Sequence, residues 1–103
     1  HALQRCIKKH EQEICTALHQ DLKKPVFEAY TGEIYPILQE LEYFVTHLTS
    51  LAKPQRKSTP WLLWRSKSYV TPTPYGTVLI MAPWNFPFQL TLVPLIGALA
   101  AGN

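Results

Sequence analysis

The carboxyl-terminal part of this chain lacks negative charge. All seven Asp and Glu residues lie in positions 1–42, and positions 43–103 carry five Lys and Arg residues without a carboxylate. An excess of basic charge is one feature of nucleic-acid-binding surfaces. The five charges lie between Lys53 and Lys67, however, and no recognition module surrounds them. We therefore interpret them as solvated charge that also protects a sheet edge, and we expect no nucleic-acid partner.

Glycine and cysteine are also scarce. The four glycines do not form a Gly-x-Gly-x-x-Gly motif, so the usual sequence signature of a dinucleotide-binding loop is missing. Two cysteines are too few for a disulfide framework, and no signal peptide is recognisable. We therefore expect an intracellular, cytoplasmic protein. Whether the complete protein carries a membrane anchor stays open.

The cysteines have metal-ligand spacing only in pairs. Cys6 and His10 are four residues apart, as are Cys15 and His19, so each pair would share one face of a helix. The two pairs are offset by nine residues, which at about 100° per residue places them on opposite sides of that helix. A single helix therefore excludes a four-ligand zinc site, and we predict no metal site.

Two amphipathic helical segments fill the amino-terminal half. Residues 2–22 carry an apolar stripe at helical spacing and end at Lys-Lys-Pro. Residues 26–51 repeat the pattern, and Gly32 and Pro36 within it predict a kink or a break into two helices. The predicted core positions are Leu3, Ile7, Ile14, Leu18 and Leu22, then Phe27, Tyr30, Ile34, Ile37, Leu41, Phe44 or Val45, Leu48 and Leu51.

A polar, proline-bearing linker follows at residues 52–60. Residues 61–74 are typical of extended chain, and we predict two short antiparallel strands around Arg65 and Ser66. Pro72 and Pro74 exclude a central strand there and favour an edge.

The most informative stretch is PYGTVLIMAPWNFPFQ, residues 74–89. Its apolar run at residues 77–82 is short, contains β-branched residues and is bounded by breakers, so it predicts a strand buried on both faces. Residues 88–101 then predict an apolar helix that closes at Gly102. In open α/β sheets, the loop between such a strand and helix lies where ligands bind.

Asn85 lies in that loop and has two candidate roles. Asn is a good N-cap residue, and Pro87 follows where a first helical turn would begin. Alternatively, a rigidly held side-chain NH2 donates a hydrogen bond to a developing oxyanion. On spacing alone the cap is favoured.

Residues 78–101 are long and apolar enough to suggest a membrane span. Three prolines interrupt this stretch, and Asn85 and Gln89 lie in its middle. We therefore predict a buried strand and a buried helix, with no membrane segment in this chain.

The sequence PYGTVLIMAPWNFPFQLTLVPLIGALAAGN resembles the start of the cofactor domain of the aldehyde dehydrogenase superfamily. Upstream, DLKKPVFEAYTGEIYPILQELEYFVTHL is similar to the amino-terminal helices of class-3 and fatty aldehyde dehydrogenases. The resemblance implies an α/β fold with three parts. These are an amino-terminal helical arm (1–52), a linker and extended edge hairpin (53–74), and the first strand-loop-helix unit of an incomplete, Rossmann-like NAD(P)-binding domain (75–103). We expect the chain to be a fragment.

The resemblance also implies site residues. Asn85 matches the Asn whose side chain forms half of an oxyanion hole in that family. Phe86 and Leu90 match positions that line the tunnel for the aldehyde substrate. The backbone beside the nicotinamide of NAD or NADP is matched by Met81, Ala82, Pro83 and Trp84.

The implied reaction oxidises an aldehyde to a carboxylic acid through a thiohemiacetal and a thioester on a Cys. That Cys, and the Glu that activates water, match positions beyond Asn103, so we expect this chain alone to be inactive. The family hairpin takes part in oligomerisation, which implies a homodimer. Trp61 and Trp64 are then either interface anchors or covers of the domain's own core.

A hypothesis from a different class stays open at this point. The chain could be a non-catalytic helical interaction domain or a remnant, with Asn85 serving only as a cap. Coding sequence beyond Asn103 with the Glu and Cys motifs of the family would favour the enzyme.

Overall fold

The computed structural model describes residues 1–103 as a helix-rich chain with one small sheet. It thus resembles the amino-terminal, helical part of the predicted α/β architecture. The elements in chain order are α1 (Ala2–Lys9), α2 (Glu11–Leu22), α3 (Val26–Ala29), a π-helical turn (Tyr30–Ile34), α4 (Tyr35–Leu51), β1 (Gln55–Lys57), a 3-10 turn (Trp61–Leu63), β2 (Ser68–Val70) and α5 (Pro87–Ala100).

The core forms where α5 packs against α4 and the π-helical turn, with α1 and α2 alongside. Ile34 and Ile37 are fully buried, as the helical stripe predicted. Burying side chains of this size is the main stabilising contribution of the core. Its nine buried apolar members are Ile7, Cys15, Leu18, Ala29, Ile34, Ile37, Leu38, Leu41 and Ile96.

The first predicted helix is interrupted at one residue. His10 has φ −103° and ψ 17°, outside the helical region, and separates α1 from α2. Its Nδ1 lies 3.0 Å from Glu13 Oε2, a contact within the first turn of α2. The apolar stripe continues across this break, because Ile7 in α1 and Leu18 in α2 are both buried in the core.

The second predicted helix is interrupted near Gly32, as expected, but by a π-helical turn. A π-helical turn bonds residue i to i+5, so it shifts the register between the helices on either side. Phe27 therefore falls off the buried stripe, and its prediction as a core residue is wrong: it is 79% exposed. Pro36 lies in the first turn of α4, where its missing N–H is best tolerated.

The two strands of the hairpin are further apart in sequence than predicted. β1 pairs antiparallel with β2, with Arg56 opposite Tyr69, so one strand lies in the predicted linker. Residues 61–63 are a 3-10 turn and not a strand, because the Pro60 carbonyl accepts from the Leu63 N–H and closes a tight turn. Trp61 is 84% exposed, which contradicts the role of covering the chain's own core.

The predicted strand at residues 77–82 is absent from the structure. This segment is irregular and makes no backbone hydrogen bond to another segment. A strand needs a neighbour to satisfy its backbone groups, and the two strands of this chain pair only with each other. Leu79 and Met81 are consequently more than 80% exposed. Just before the segment, the Gly76 N–H donates to Asn103 Oδ1 (2.7 Å), which ties its entry to the end of α5.

The predicted helix after the loop is confirmed as α5, Pro87–Ala100, one residue from its expected bounds. None of the helices combines the length and the apolar character that a membrane crossing requires.

The chain is more extended than a closed domain of its size. Its radius of gyration is 18.9 Å, against about 13 Å expected for 100 residues. Only 11 of 103 residues are buried, so most apolar side chains after α4 face solvent. Exposed apolar surface of this extent drives association.

We predict that the isolated chain self-associates through residues 77–82. Replacing Leu79 and Met81 together by Lys should shift the population towards monomer, because it removes two exposed apolar side chains and adds repulsion. Sedimentation velocity across a concentration series measures this. Replacing Thr71 and Thr73 by Lys adds the same charge at exposed polar positions and should leave association nearly unchanged. A monomeric wild-type chain at all concentrations would contradict the prediction.

Candidate active-site turn

The predicted site residues lie around the junction between the irregular segment and α5. We call residues 83–88, which include the first two residues of α5, the Asn85 turn. Trp84 and Asn85 are exposed, whereas Phe86 and Leu90 are partly buried. The four residues predicted to lie beside a cofactor, residues 81–84, are all exposed.

The structure does not use Asn85 as a cap. Phe86 is the residue at the N-cap position, with φ −135° and ψ 66°, and its side chain makes no capping bond. The amide of Asn85 makes no hydrogen bond within the chain and projects from an exposed residue. The N-cap interpretation is therefore wrong here, and the side chain is free to serve another purpose.

Glu33 performs the capping from a distant segment. Its Oε2 accepts hydrogen bonds from the backbone N–H groups of Phe88 (3.0 Å) and Gln89 (2.9 Å), in the first turn of α5. These donors have no partner inside the helix, and a carboxylate at a helix N-terminus also interacts favourably with the helix dipole. The Asn85 turn is thereby fastened to the π-helical turn.

Lys24 completes the arrangement. Its Nζ donates to Glu33 Oε1 (2.6 Å) and to the backbone carbonyl of Asn85 (2.7 Å). The same ammonium lies 3.8 Å from the centroid of the Phe86 ring, a cation–π distance. Lys24 is 7% exposed and Glu33 is 0% exposed, so the ion pair is shielded from water.

Local sequence explains how both charged side chains face inward. α2 ends at Lys23, which adopts a left-handed conformation with φ 56°, and Pro25 precedes α3. The reversal between these helices places Lys24 on the inner side, and His19 Nδ1 lies 3.0 Å from the Lys24 carbonyl oxygen. The π-helical turn carries Glu33 to the same place.

The buried pair contributes more to specifying one conformation than to the net free energy of folding. Removing charges from water costs several kcal/mol per ion, which the short contact and the accompanying hydrogen bonds offset. A well-packed apolar pair often stabilises a protein equally, whereas removing one partner costs about 3–5 kcal/mol. The pair of Lys24 and Glu33 is therefore better explained by the conformation that it fixes than by the stability that it adds.

Phe86 is held on two sides. A Cβ atom added at Gly32 would lie 3.3 Å from Phe86 Cε1, so the π-helical turn contacts the ring closely because it has glycine there. Lys24 covers the ring on its face. The ring predicted to line a substrate tunnel is thus restricted by Gly32 and by the ion pair together.

Sequence reasoning missed both Lys24 and Glu33. Lys24 was interpreted only as part of a helix-ending sequence. A signal for Glu33 was present, since it lies on an i, i+4 series with Ala29, Ile37 and Leu41, all of which are buried. A single carboxylate on a buried stripe implies a buried partner, which the sequence does not identify.

The turn differs from a dinucleotide-phosphate site at the start of α5. Residues 81–84 are exposed, so nothing within the chain blocks access to them. The first N–H groups of α5, which would suit a phosphate, are already bonded to Glu33. The start of α5 therefore offers no free N–H group to a diphosphate, which is consistent with the missing glycine-rich motif.

The two thiols differ in environment. Cys6 is exposed, whereas Cys15 is buried and belongs to the apolar core. Burial raises the pKa of the Cys15 thiol above its usual value, and the nearby Glu11 carboxylate adds to the effect. Neither thiol is part of a cluster of three or more metal-ligand side chains.

Comparison with known proteins places this architecture in a family. The sequence model described as "Aldehyde dehydrogenase family" matches residues 1–103. The chain belongs to the aldehyde dehydrogenase family, and its relatives are of the class-3 type, as the resemblance implied.

Three relatives illustrate the match. A 4,4'-diaponeurosporen-aldehyde dehydrogenase of Staphylococcus aureus is 46% identical over 98% of this chain and 22% of its own length. Aldehyde dehydrogenase family 3 member A2 of Mus musculus is 41% identical over 99% of this chain and 21% of its own length. A solved structure, "Substrate bound state of Staphylococcus Aureus AldH", superposes with a TM-score of 0.95 at 46% identity, covering 98% of this chain and 22% of that one. The chain therefore spans about a fifth of the length of these relatives.

We predict that Cys6 is alkylated much faster than Cys15 in the folded chain. Burial blocks access to Cys15, and its raised pKa leaves less thiolate near pH 8. Iodoacetamide labelling followed by peptide mass spectrometry measures both rates in one sample. In denaturant the two rates should converge, which controls for intrinsic reactivity. Equal labelling without denaturant would show that Cys15 is not held in the core.

Proposed function

We propose that the complete protein is an NAD(P)-dependent aldehyde dehydrogenase that oxidises an aldehyde to a carboxylic acid, and that Asn85 is its side-chain oxyanion donor. The observation that carries the proposal is the Asn85 amide. It is exposed and free of hydrogen bonds within a chain of this family, on a turn whose backbone is fastened on both sides. A donor held in this way needs no reorganisation when negative charge develops on a substrate oxygen.

The parts of the chain take the following places in this proposal. Residues 75–103 begin a Rossmann-like NAD(P)-binding domain, following the helical arm (1–52) and the hairpin region (53–74). Residues 77–82 then form a strand of its sheet once a neighbouring strand is present. The tie between Gly76 and Asn103 supports this, because it already aligns the start of that segment with the end of α5.

Each site residue has a defined task. The Asn85 NH2 donates to the oxygen of the aldehyde as that oxygen gains negative charge, at a distance of about 3 Å. Residues 81–84, which are exposed, would orient the nicotinamide, and NAD(P)+ would supply the hydride acceptor. Phe86 and Leu90 provide apolar contacts that admit the aldehyde chain and exclude water. The thiol that attacks the aldehyde lies outside this chain, so the chain alone is inactive.

We further propose a homodimer whose interface includes the hairpin. Trp61 and Trp64, more than 70% exposed, flank an apolar turn between β1 and β2. Large aromatic side chains are enriched at interface cores, where they contribute apolar area. Their exposure in the single chain supports this role.

Asn85 variants of the complete enzyme test the proposed function. Asn85→Ala removes the donor and should lower kcat by roughly a hundredfold or more. Asn85→Asp should be at least as damaging, because it places an ionised acceptor against the developing negative charge. Steady-state kinetics measure both effects.

Thermal unfolding of the same variants provides the control. If Asn85 were only structural, Asp would substitute well near the positive end of α5, and any loss of activity would follow a loss of stability. A fully active Asn85→Asp enzyme would overturn the oxyanion assignment.

Variants of Phe86 and Leu90 test the tunnel. Changing either residue to Ala should alter the ranking of aldehydes by chain length more than the affinity for NAD(P). Wall contacts of this kind are worth about 1–3 kcal/mol for a methylene-sized difference. The measurement is kcat/KM across a series of linear aldehydes. Leu99→Ala, an exposed leucine near the other end of α5, is the matched control. Weakened cofactor binding with an unchanged aldehyde profile would refute the assignment.

A further inference from the structure

Two buried charged residues have no task in the proposed reaction. Lys24 and Glu33 are the only polar side chains that the fold buries, and both are fully engaged with each other and with the Asn85 turn. Neither is among the residues assigned to the oxyanion, the cofactor or the aldehyde. Their contacts nevertheless converge on the residue that carries the proposed chemistry.

We infer that Lys24 and Glu33 are positioning residues, which hold the backbone of the Asn85 turn so that the Asn85 amide is directed at the reacting carbonyl. This inference rests on the proposed function, because it assigns the pair an effect through Asn85 and no chemical step of its own.

Lys24 acts on Asn85 directly. Its ammonium donates to the backbone oxygen of Asn85 at 2.7 Å and to Glu33 Oε1 at 2.6 Å, and the Phe86 ring lies 3.8 Å from it. The peptide plane between Asn85 and Phe86 is thus held by a charge-assisted hydrogen bond on its carbonyl. Rotation of this plane would turn the Asn85 side chain away from its present direction.

Glu33 fixes the other end of the turn. Its Oε2 accepts from the N–H groups of Phe88 and Gln89, three and four residues beyond Asn85. Its other oxygen is held by Lys24, so the carboxylate cannot rotate without breaking a bond. The carbonyl of Asn85 and the start of α5 are therefore fixed relative to one another through two side chains from a distant segment.

The Asn85 amide has no other restraint within the chain. It makes no side-chain hydrogen bond and is exposed, so its average direction follows from the backbone that carries it. Misplacing a catalytic group by about 1 Å can cost a hundredfold in rate. A pair that controls this backbone is expected to affect turnover without touching the substrate.

The decisive variant removes both charges together in the complete enzyme. Lys24→Met with Glu33→Gln avoids leaving a buried charge unpaired, so it is expected to fold. The introduced glutamine side chain would still offer an amide oxygen to the first turn of α5. The hydrogen bond to the Asn85 carbonyl would be lost.

We expect kcat of this double variant to fall by about tenfold or more, with KM for the aldehyde changed much less. Adding Asn85→Ala should abolish that effect: in the Asn85→Ala background, removing the pair should change kcat by less than about twofold, because the group being positioned is absent. Hydrogen–deuterium exchange supplies a readout besides activity. Peptides covering residues 85–90 should exchange faster, while peptides from α4 should not change.

The matched control is Lys8→Met with Glu28→Gln. It makes the same substitutions at exposed positions of α1 and α3. Its kcat, exchange pattern and thermal stability should equal those of the wild-type enzyme.

Two failures are distinguishable. If Asn85→Ala lowers kcat but the double variant at residues 24 and 33 keeps wild-type kcat and exchange, the positioning role is refuted and the proposed function stands. If Asn85→Ala leaves kcat unchanged, the proposed function fails, and the positioning role in catalysis fails with it. Equal losses of kcat from removing the pair in both backgrounds would indicate a structural effect independent of Asn85, which also overturns the inference.

Discussion

The buried ion pair between Lys24 and Glu33 is the interaction on which the arrangement of this chain depends. It joins the reversal after α2, the π-helical turn and the first turn of α5, which is more than fifty residues away in sequence. Apolar packing brings α5 against α4, but packing is non-directional and tolerates small shifts. The hydrogen bonds of the pair set the position of α5 at its N-terminus and, with it, the turn that carries Asn85.

The chain consists of a part whose apolar side chains are packed in a core and a part whose apolar side chains are exposed. Up to α4, and again in α5, apolar side chains meet each other in a core. Between these elements, the hairpin and residues 77–82 present tryptophan, leucine and methionine to solvent. Such surfaces are expected where a chain supplies part of a larger fold, and the chain spans about a fifth of its relatives. The candidate site lies on the boundary between these two parts.

Local patterns predicted what local interactions decide. The stripe containing Ile34 and Ile37, the break near Gly32 and the helix after Pro87 are consequences of short-range periodicity and of breakers, and all three are present. Residues 77–82 were predicted as a strand, but strand formation depends on a partner that periodicity does not supply. The pairing of Lys24 with Glu33 was missed for the same reason. The sequence shows that Glu33 lies on a buried helical stripe, but its partner Lys24 and the helix that it caps are determined by the tertiary fold. Asn85 lies just before the helix, as predicted, whereas its cap role was wrong because the N–H groups of the first turn of α5 bond to Glu33 instead.

The closeness of the pair also constrains how this sequence can vary. Changing Lys24 alone would leave an unpaired carboxylate in the interior, and changing Glu33 alone would leave an unpaired ammonium beside the Phe86 ring. Substitution by single steps therefore passes through an unfavourable intermediate, whereas simultaneous neutral replacement does not. Gly32 adds a further restriction, because any side chain there must displace the same ring. We therefore expect this fold to tolerate changes at positions 24 and 33 only together, and to tolerate changes of Phe86 only within the space beside Gly32 and Lys24.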